Sequence, residues 1–437
     1  MFKTFANAWK ITDLREKLLF SAFIILLYRI GVAIPVPFLD ASMLASVMEG
    51  TEGSILQYLN ILSGNAFSQA TLFALGISPY ITSSIVMQLL AVAIPALERW
   101  SQDEEGKKKI NQITRVVTVA LALITSIGYY MMLKNNGAIT KNGETFFGAV
   151  VIIACYCAGS ALVMWLAEKI NDKGIGNGIS LILFANIVSR GPAIVNTLWY
   201  YVRGRGTTSS GKTISTPVGI VIAVASIVIG LGMITFIVFM TDSERRIPVQ
   251  YAKKTVGRKM YGGQSSNLPI KLNMTGVMPI IFANSIISLP ATIAVFLPNS
   301  GFKTWLNNTF SARSWLYAIL TLVLIIAFAY FYVAISFNPT EVANNLQKNG
   351  GSVPGIRPGR PTADYIRKIT NRITLIGAIF LSVIAVLPII INICSGGVMS
   401  GLAFGGSSII IVVGVVLETA REIEGQMTMR HYKGFLE

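Results

Sequence analysis

Ten stretches of this chain are each apolar over a length that crosses a bilayer, and this limits its fold more than any other property. A hydrocarbon layer about 30 Å thick needs roughly 20 apolar residues at helical rise. The stretches are 18–36, 76–97, 116–133, 146–168, 179–202, 216–240, 274–298, 314–336, 373–393 and 402–420. Lipid offers no hydrogen bonds to a free backbone, so each must be a helix or a strand of a closed barrel. Barrel strands run to about 10 residues with strict alternation, whereas IVIAVASIVIGLGMITFIVFM is continuous and longer. The expected fold is therefore an all-α polytopic membrane bundle of ten transmembrane helices.

Charge sets the orientation. Of 36 Lys and Arg, about 27 fall on the N-terminus, the 2/3, 4/5, 6/7 and 8/9 loops and the C-terminus, and the 1/2 connection has none. Basic loops stay inside, which puts both termini in the cytoplasm. The apolar run at the N-terminus lacks a small-residue cleavage site and reads as the first span. Two basic segments exceed what topology needs: 241–272, with seven Lys or Arg, and 337–372, with six. Such protrusions suit phosphate backbones, anionic lipid or an acidic protein alike. No base-reading module is visible, so specific DNA binding is not expected.

Five spans lie on each side of a polar boundary near 203–215. An odd number per half starts the second half on the opposite face, an inverted-topology plan, although no residue-level repeat is evident. The expected halves are 1–203 and 204–437. Between the first two spans, 54–75 is apolar but carries Asn60, Ser63, Gly64, Asn65, Ser68 and Gln69. It reads as a short segment partway into the membrane and shielded by protein, or else as an outer amphipathic loop.

Intramembrane charge is nearly absent. Arg29 alone lies well within a span, one turn from an interface its head could reach, and the other polar groups are Thr82, Ser83, Ser84, Gln88, Asn186, Asn284 and Ser285. Ion-coupled transport depends on intramembrane ionisable groups, so a passage for polypeptide or lipid fits better than a small-solute transporter. The only histidine, His431, is in the tail, which removes the partner of an intramembrane serine protease. Three cysteines, Cys155, Cys157 and Cys394, form no metal or disulfide pattern, and no phosphate-binding loop is present; no cofactor is expected. KGIGNGIS (173–180) reads as a tight turn with an Asn or Ser helix cap. PGIRPGRP (354–361) stiffens a loop tip around Arg357, or is an ordinary solvated turn. ERRIPVQYAKK (244–254) and GRK (257–259) suggest an extended basic segment.

ALGISPYITSSIVMQLL, KGIGNGIS, ERRIPVQYAKK, NMTGVMPIIFANSIISLPATIA, FNPTEVANNLQKNGGSVPGIRPG and GGSSIIIVVGVVLE, taken in order, resemble the SecY family. Its members are large subunits of the bacterial Sec protein-translocation channel. The resemblance covers essentially the whole chain; a short external 7/8 loop and C-tail differ from some members. It implies two clam-like halves around a central pore and no enzymatic activity. It also implies a plug at about 56–72, including Leu59, Ile61, Leu62, Ser63, Gly64, Asn65 and Phe67. The implied pore ring is Ile81, Ile85, Leu183, Ile187, Ile281 and Ile411, where Leu183 replaces the commoner Ile. A lateral gate between spans two and three and spans seven and eight is implied, with Gln88 and Asn284 its polar candidates. The implied docking residues for the SecA motor ATPase and the ribosome are Arg245, Arg246, Lys253, Lys254, Arg258, Lys259 and Arg357. SecE, SecG, preproteins with signal sequences and membrane lipids are the remaining implied partners, and the bacterial plasma membrane the implied location. An aliphatic ring suits gating by dewetting.

Overall fold

The computed structural model describes residues 8–40, 43–44, 60, 63–204, 216–251, 254–256, 259–261, 265–296, 301–310, 314–394 and 406–433. Helices occupy all ten apolar stretches. In chain order they are α1 (Thr12–Val32), α2 (Ser78–Ala93), α3 (Pro95–Gln102), α4 (Glu104–Asn135), α5 (Phe146–Lys173), α6 (Gly178–Val188), α7 (Gly191–Val202) and α8 (Thr216–Asp242). There follow α9 (Met278–Phe296), α10 (Gly301–Thr309), α11 (Trp315–Ser336), α12 (Pro339–Lys348), α13 (Arg360–Cys394) and α14 (Gly406–Lys433). Among the described residues six helices are long and apolar enough to cross a membrane, or seven when the bent pair α2–α3 counts as one span. The chain is a multi-pass membrane protein.

The second stretch differs from its expected bounds for a local reason. Pro95 forces the residue before it out of helical geometry, and Ile94 is extended at φ −111°, ψ 113°. The chain bends 110° there into α3. The start of α2 follows the sequence closely, with Pro79 in its first turn and Gly76 at φ +56° just before it. Asn177 caps α6 by accepting hydrogen bonds from the backbone N–H groups of Ile179 and Ser180, as the KGIGNGIS turn requires. Hydroxyls at depth mostly donate back to their own helix, as Thr118 does to Thr114 O (2.7 Å) and Ser126 to Ala122 O (2.6 Å). Such bonds let polar residues sit inside a membrane bundle.

Helix ends expected on the basic side do meet at one end of the bundle. Lys17 donates to Gln426 (3.3 Å), the Gly176 N–H to Glu422 (2.9 Å) and Arg421 to Asp242 (2.6 Å), joining the N-terminal region, the 4/5 loop, the end of α8 and the tail helix. At the opposite end Asp40 N–H donates to Ala138 O (2.9 Å), joining the 1/2 and 3/4 connections. Burial separates centre from periphery. The best apolar window of α13 is 61% buried and that of α8 is 11% buried, so α8 presents nearly all its faces outward.

The expectation of an all-α fold needs correction in the 6/7 and 8/9 connections. Glu244–Tyr251 (β1) pairs antiparallel with Ser265–Lys271 (β4), and Gly351–Ser352 (β5) adds to the other edge of β1. Lys254–Val256 (β2) and Lys259–Tyr261 (β3) form a separate two-stranded ribbon. On β1 the residues Ile247 and Val249 alternate inward at 2% exposure each, the period-2 pattern of a half-buried strand. Ile247 closes on α12 and α13 in one cluster with Ile270, Ala343, Val353, Ala363 and Ile366. The two basic loops are therefore a single platform with its own core.

Candidate functional site

All six residues assigned to the ring are buried: Ile81, Ile85, Leu183, Ile187, Ile281 and Ile411 are between 1% and 8% exposed. They come from α2, α6, α9 and α14, separated by up to 330 positions of chain, and belong to one cluster of buried aliphatic side chains. The spacing of Ile81 to Ile85 and of Leu183 to Ile187 puts each pair on one helix face. α9 packs on α2 and α4 along one seam, and α14 packs on α6 along another.

Of the residues the resemblance assigns to a plug, Ser63, Gly64, Asn65 and Phe67 are described, while Leu59, Ile61 and Leu62 lie outside the described residues. The polar residues that made this segment unsuited to lipid cap its backbone. Asn60 O accepts from Asn65 N–H (3.0 Å) and from the Ser63 hydroxyl (3.1 Å), and Asn60 Oδ1 accepts from Ser68 N–H (3.0 Å). Ser63 Oγ accepts from Phe67 N–H (3.1 Å). Irregular backbone in this segment is satisfied by protein groups. The Phe67 ring lies 4.5 Å from that of Tyr129 and is 4% exposed, and the Tyr129 hydroxyl donates to Phe67 O at 2.5 Å. Ala66 and Phe73 of this segment share the buried cluster that holds the six ring residues.

A crevice of about 1170 Å³ opens along the seam between α2–α4 and α11–α13. Gln88 lines it and donates to Ser84 Oγ at 3.2 Å. Asn284 sits apart from it, 5% exposed, with a buried Nδ2 that has no hydrogen-bond partner among the described residues. Nearer the plug segment, a cavity of about 100 Å³ lies against Thr82 of α2 and Ser288 of α9. Ser288 carried no signal in the sequence beyond its place one turn from Asn284.

Among the residues the resemblance assigns to docking, Arg357 is exposed on its tip between two left-handed glycines, Gly355 at φ +82° and Gly359 at φ +93°. Its carbonyl accepts from Thr362 Oγ1 at 2.8 Å, which fixes the tip onto α13. Arg245 and Arg246 are exposed on β1; Arg246 is paired with Glu244 at 2.7 Å, which offsets part of its charge. Lys254 and Lys259 stand on the β2–β3 ribbon, and Lys253 and Arg258 lie outside the described residues. At the base of the platform, burial and the nearby Arg421 push the Lys271 ammonium below the usual lysine range.

Sequence reasoning read Arg29 as able to reach the interface. Its guanidinium instead points inward to Asn186 Oδ1 at 3.4 Å, beside Tyr28.

The SecY family pattern matches residues 71–420 of this chain. The protein translocase subunit SecY of Streptomyces galbus is 42% identical over 449 residues, and that of Mycobacterium tuberculosis (strain ATCC 25618 / H37Rv) is 40% identical over 457, each alignment covering both chains completely. A solved structure described as "The structure of a protein conducting channel" aligns with a TM-score of 0.66 at 18% identity, covering 94% of this chain and 92% of that one. Sec61 in the canine ribosome-channel complex aligns at 0.61 and 18% identity, with the same coverage. These two distant likenesses establish the fold. The full-length identity to translocase subunits, together with the family match across most of the chain, establishes that this protein belongs to the SecY family, a family of translocation-channel subunits and not of enzymes.

Proposed function

We propose that this chain forms the channel through which unfolded preproteins cross a bacterial plasma membrane and from which transmembrane segments leave sideways into lipid. The observation that carries this reading is the meeting, in one dry cluster, of six aliphatic residues from four helices beside a polar-capped re-entrant segment. An aliphatic collar excludes water when closed and offers no binding site to a passing chain. Residues 56–72 are the plug beneath it. Ten crossings in two inverted halves, 1–203 and 204–437, place both termini in the cytoplasm, supported by the shared end of the N-terminal region, 4/5 loop, α8 end and tail helix.

Lateral release takes place along the seam where α9 meets α2 and α4, with Gln88 at the crevice and Asn284 on α9. Energy comes from partners: SecA or a translating ribosome docks on the two basic loops through Arg245, Arg246, Lys253, Lys254, Arg258, Lys259 and Arg357. Relatives of this fold include ribosome-bound channels, which supports the ribosome as a partner. SecE and SecG complete the complex, the outward-facing α8 being a surface open to lipid or to such helices.

The test is reconstitution with SecE and SecG in proteoliposomes. Preprotein should become protease-protected only with SecA and ATP, and deletion of 60–69 should leave an inserted protein that leaks ions in planar bilayers. No added conductance from the deletion would refute the plug assignment.

A further inference from the structure

Between the seam helix α9 and the span α11, the chain forms a short helix that a transport role leaves unexplained. α10, Gly301–Thr309, has nine residues and packs on α9. β4 ends at Lys271 and α9 begins at Met278, so α9 leaves the bundle end that carries the platform. Its 19 residues rise about 28 Å, close to the full thickness of a hydrocarbon layer. α10 therefore lies at the opposite end of the bundle, level with a headgroup layer.

Helical spacing puts Phe302, Trp305 and Leu306 on one face of α10. Leu306 is 8% exposed, whereas Phe302 is 58% and Trp305 57% exposed, and the two rings stack with centroids 5.9 Å apart. Leu306 thus holds the helix on the protein while the paired rings project beyond it. Across 301–309 the sequence has a single charged residue, Lys303, so charge gives a partner little to read there. The surroundings of the rings say what covers them. Only 310–314 separate α10 from α11, which opens with the exposed side chains of Trp315, Leu316 and Ile319. Ile293, near the end of α9, is exposed as well. On the spans of a multi-pass protein, such apolar faces meet lipid.

Other rings mark the same level. α5 runs from Phe146 to Lys173, and Lys173 adjoins the 4/5 turn at the platform end, so Phe146 and Phe147 start the helix at the far end. Trp199 and Tyr200 finish α7 there, and all four are exposed. Aromatic belts of this kind lie at the boundary between lipid and water. We propose that α10 is an interfacial helix whose Phe302–Trp305 face sits among the headgroups and upper acyl chains of the leaflet opposite the platform, and so holds the end of α9 at that depth. Amphipathic helices with aromatic anchors lie in the membrane plane in this way. Because the anchor is aromatic and not cationic, zwitterionic lipid serves it as well as anionic lipid. The axial position of α9 against α2 and α4 is then set by the bilayer as well as by packing.

The experiment places the full chain with its partner subunits in phosphatidylcholine vesicles whose lipid is brominated either near the carbonyl end or near the tail end of its acyl chains. Emission of the complex minus that of its Trp305→Phe variant isolates Trp305 from the other five tryptophans. This component should be blue-shifted from indole in water, quenched most by bromine near the carbonyl end and little by aqueous iodide. Adding phosphatidylglycerol should leave the quenching unchanged. Phe302→Asp should shift the Trp305 emission to the red and open it to iodide, while Thr304→Asp, on the opposite face of the helix, should do neither. If Trp305→Phe inserts poorly, Phe302→Trp supplies the reading, since its added emission should show the same depth. Quenching by iodide and not by brominated lipid would put α10 in water and overturn the proposal. Quenching by neither would mean that protein covers the rings, and strongest quenching by tail-end bromine would put them in hydrocarbon; either overturns it. Lipid quenching that needs phosphatidylglycerol would make the contact charge-driven and overturn it too.

Discussion

Replacing Ile411 by asparagine tests the ring at its most buried C-terminal position. Ile411 is 2% exposed within the aliphatic cluster. Its removal forfeits about 2–3 kcal/mol of apolar burial, and an amide placed there without a partner costs a further 1–3 kcal/mol or so. In an open, hydrated pore the amide is solvated, so the second penalty falls on the closed state alone. A differential of about 2 kcal/mol is roughly a thirtyfold shift toward opening. Ile411→Asn should therefore export a reporter with a defective signal sequence that the parent rejects. Ile379→Asn, on an exposed face of α13, is the matched control: a polar group turned to lipid should lower the inserted amount without widening acceptance. Export of the defective reporter unchanged from the parent, with Ile411→Asn present at normal abundance, would refute the reasoning.

Arg357→Glu should abolish SecA-driven transport while leaving the bundle folded, since the tip is exposed and a rim charge governs association; transport assays with SecA pull-down check it, and normal transport would count against the docking site. Ile247→Asp buries a charge at a 2% exposed position, and because Ile247 shares a core with the 8/9 connection it should raise protease cleavage within 337–372, far from the substitution in sequence; cleavage confined to 241–272 would break the single-platform account. Tyr129→Phe leaves the Phe67 carbonyl with the Ala70 N–H as its remaining donor, a loss of about 1 kcal/mol, and should give a small rise in idle conductance at normal abundance; a channel as tight as the parent would remove Tyr129 from the anchoring of this segment.

The sequence carried the positions of the helices well because lipid demands long apolar runs and tolerates few substitutes. It carried their ends poorly. α13 begins at Arg360, thirteen positions before its apolar stretch, and α4 begins at Glu104, because both helices continue past the hydrocarbon into water, where hydropathy no longer marks them. The 110° turn at Ile94–Pro95 was written in the proline but hidden by the apolar residues around it. An extended basic segment was legible at 244–254. Its union with the 8/9 loop was not, since Gln250–Ser352 pairing joins residues about a hundred apart. The ring rested on resemblance, because a buried isoleucine in a pore and one in a core have the same local pattern. Arg29 stood out as the single charge at depth, yet its direction depended on Asn186, more than 150 positions away.

The length of α13 has a mechanical meaning. Its 35 residues span about 52 Å at helical rise, from just beyond the Arg357 tip to Cys394. Pro388 is the only proline inside this helix beyond its first turn, and it lies in the last two turns. α13 packs along α11, one wall of the crevice. The tip and the crevice wall are therefore coupled through a stiff rod and not through a flexible linker. A load placed on Arg357 would reach the wall as displacement, so whatever grips the tip would also hold a handle on the crevice.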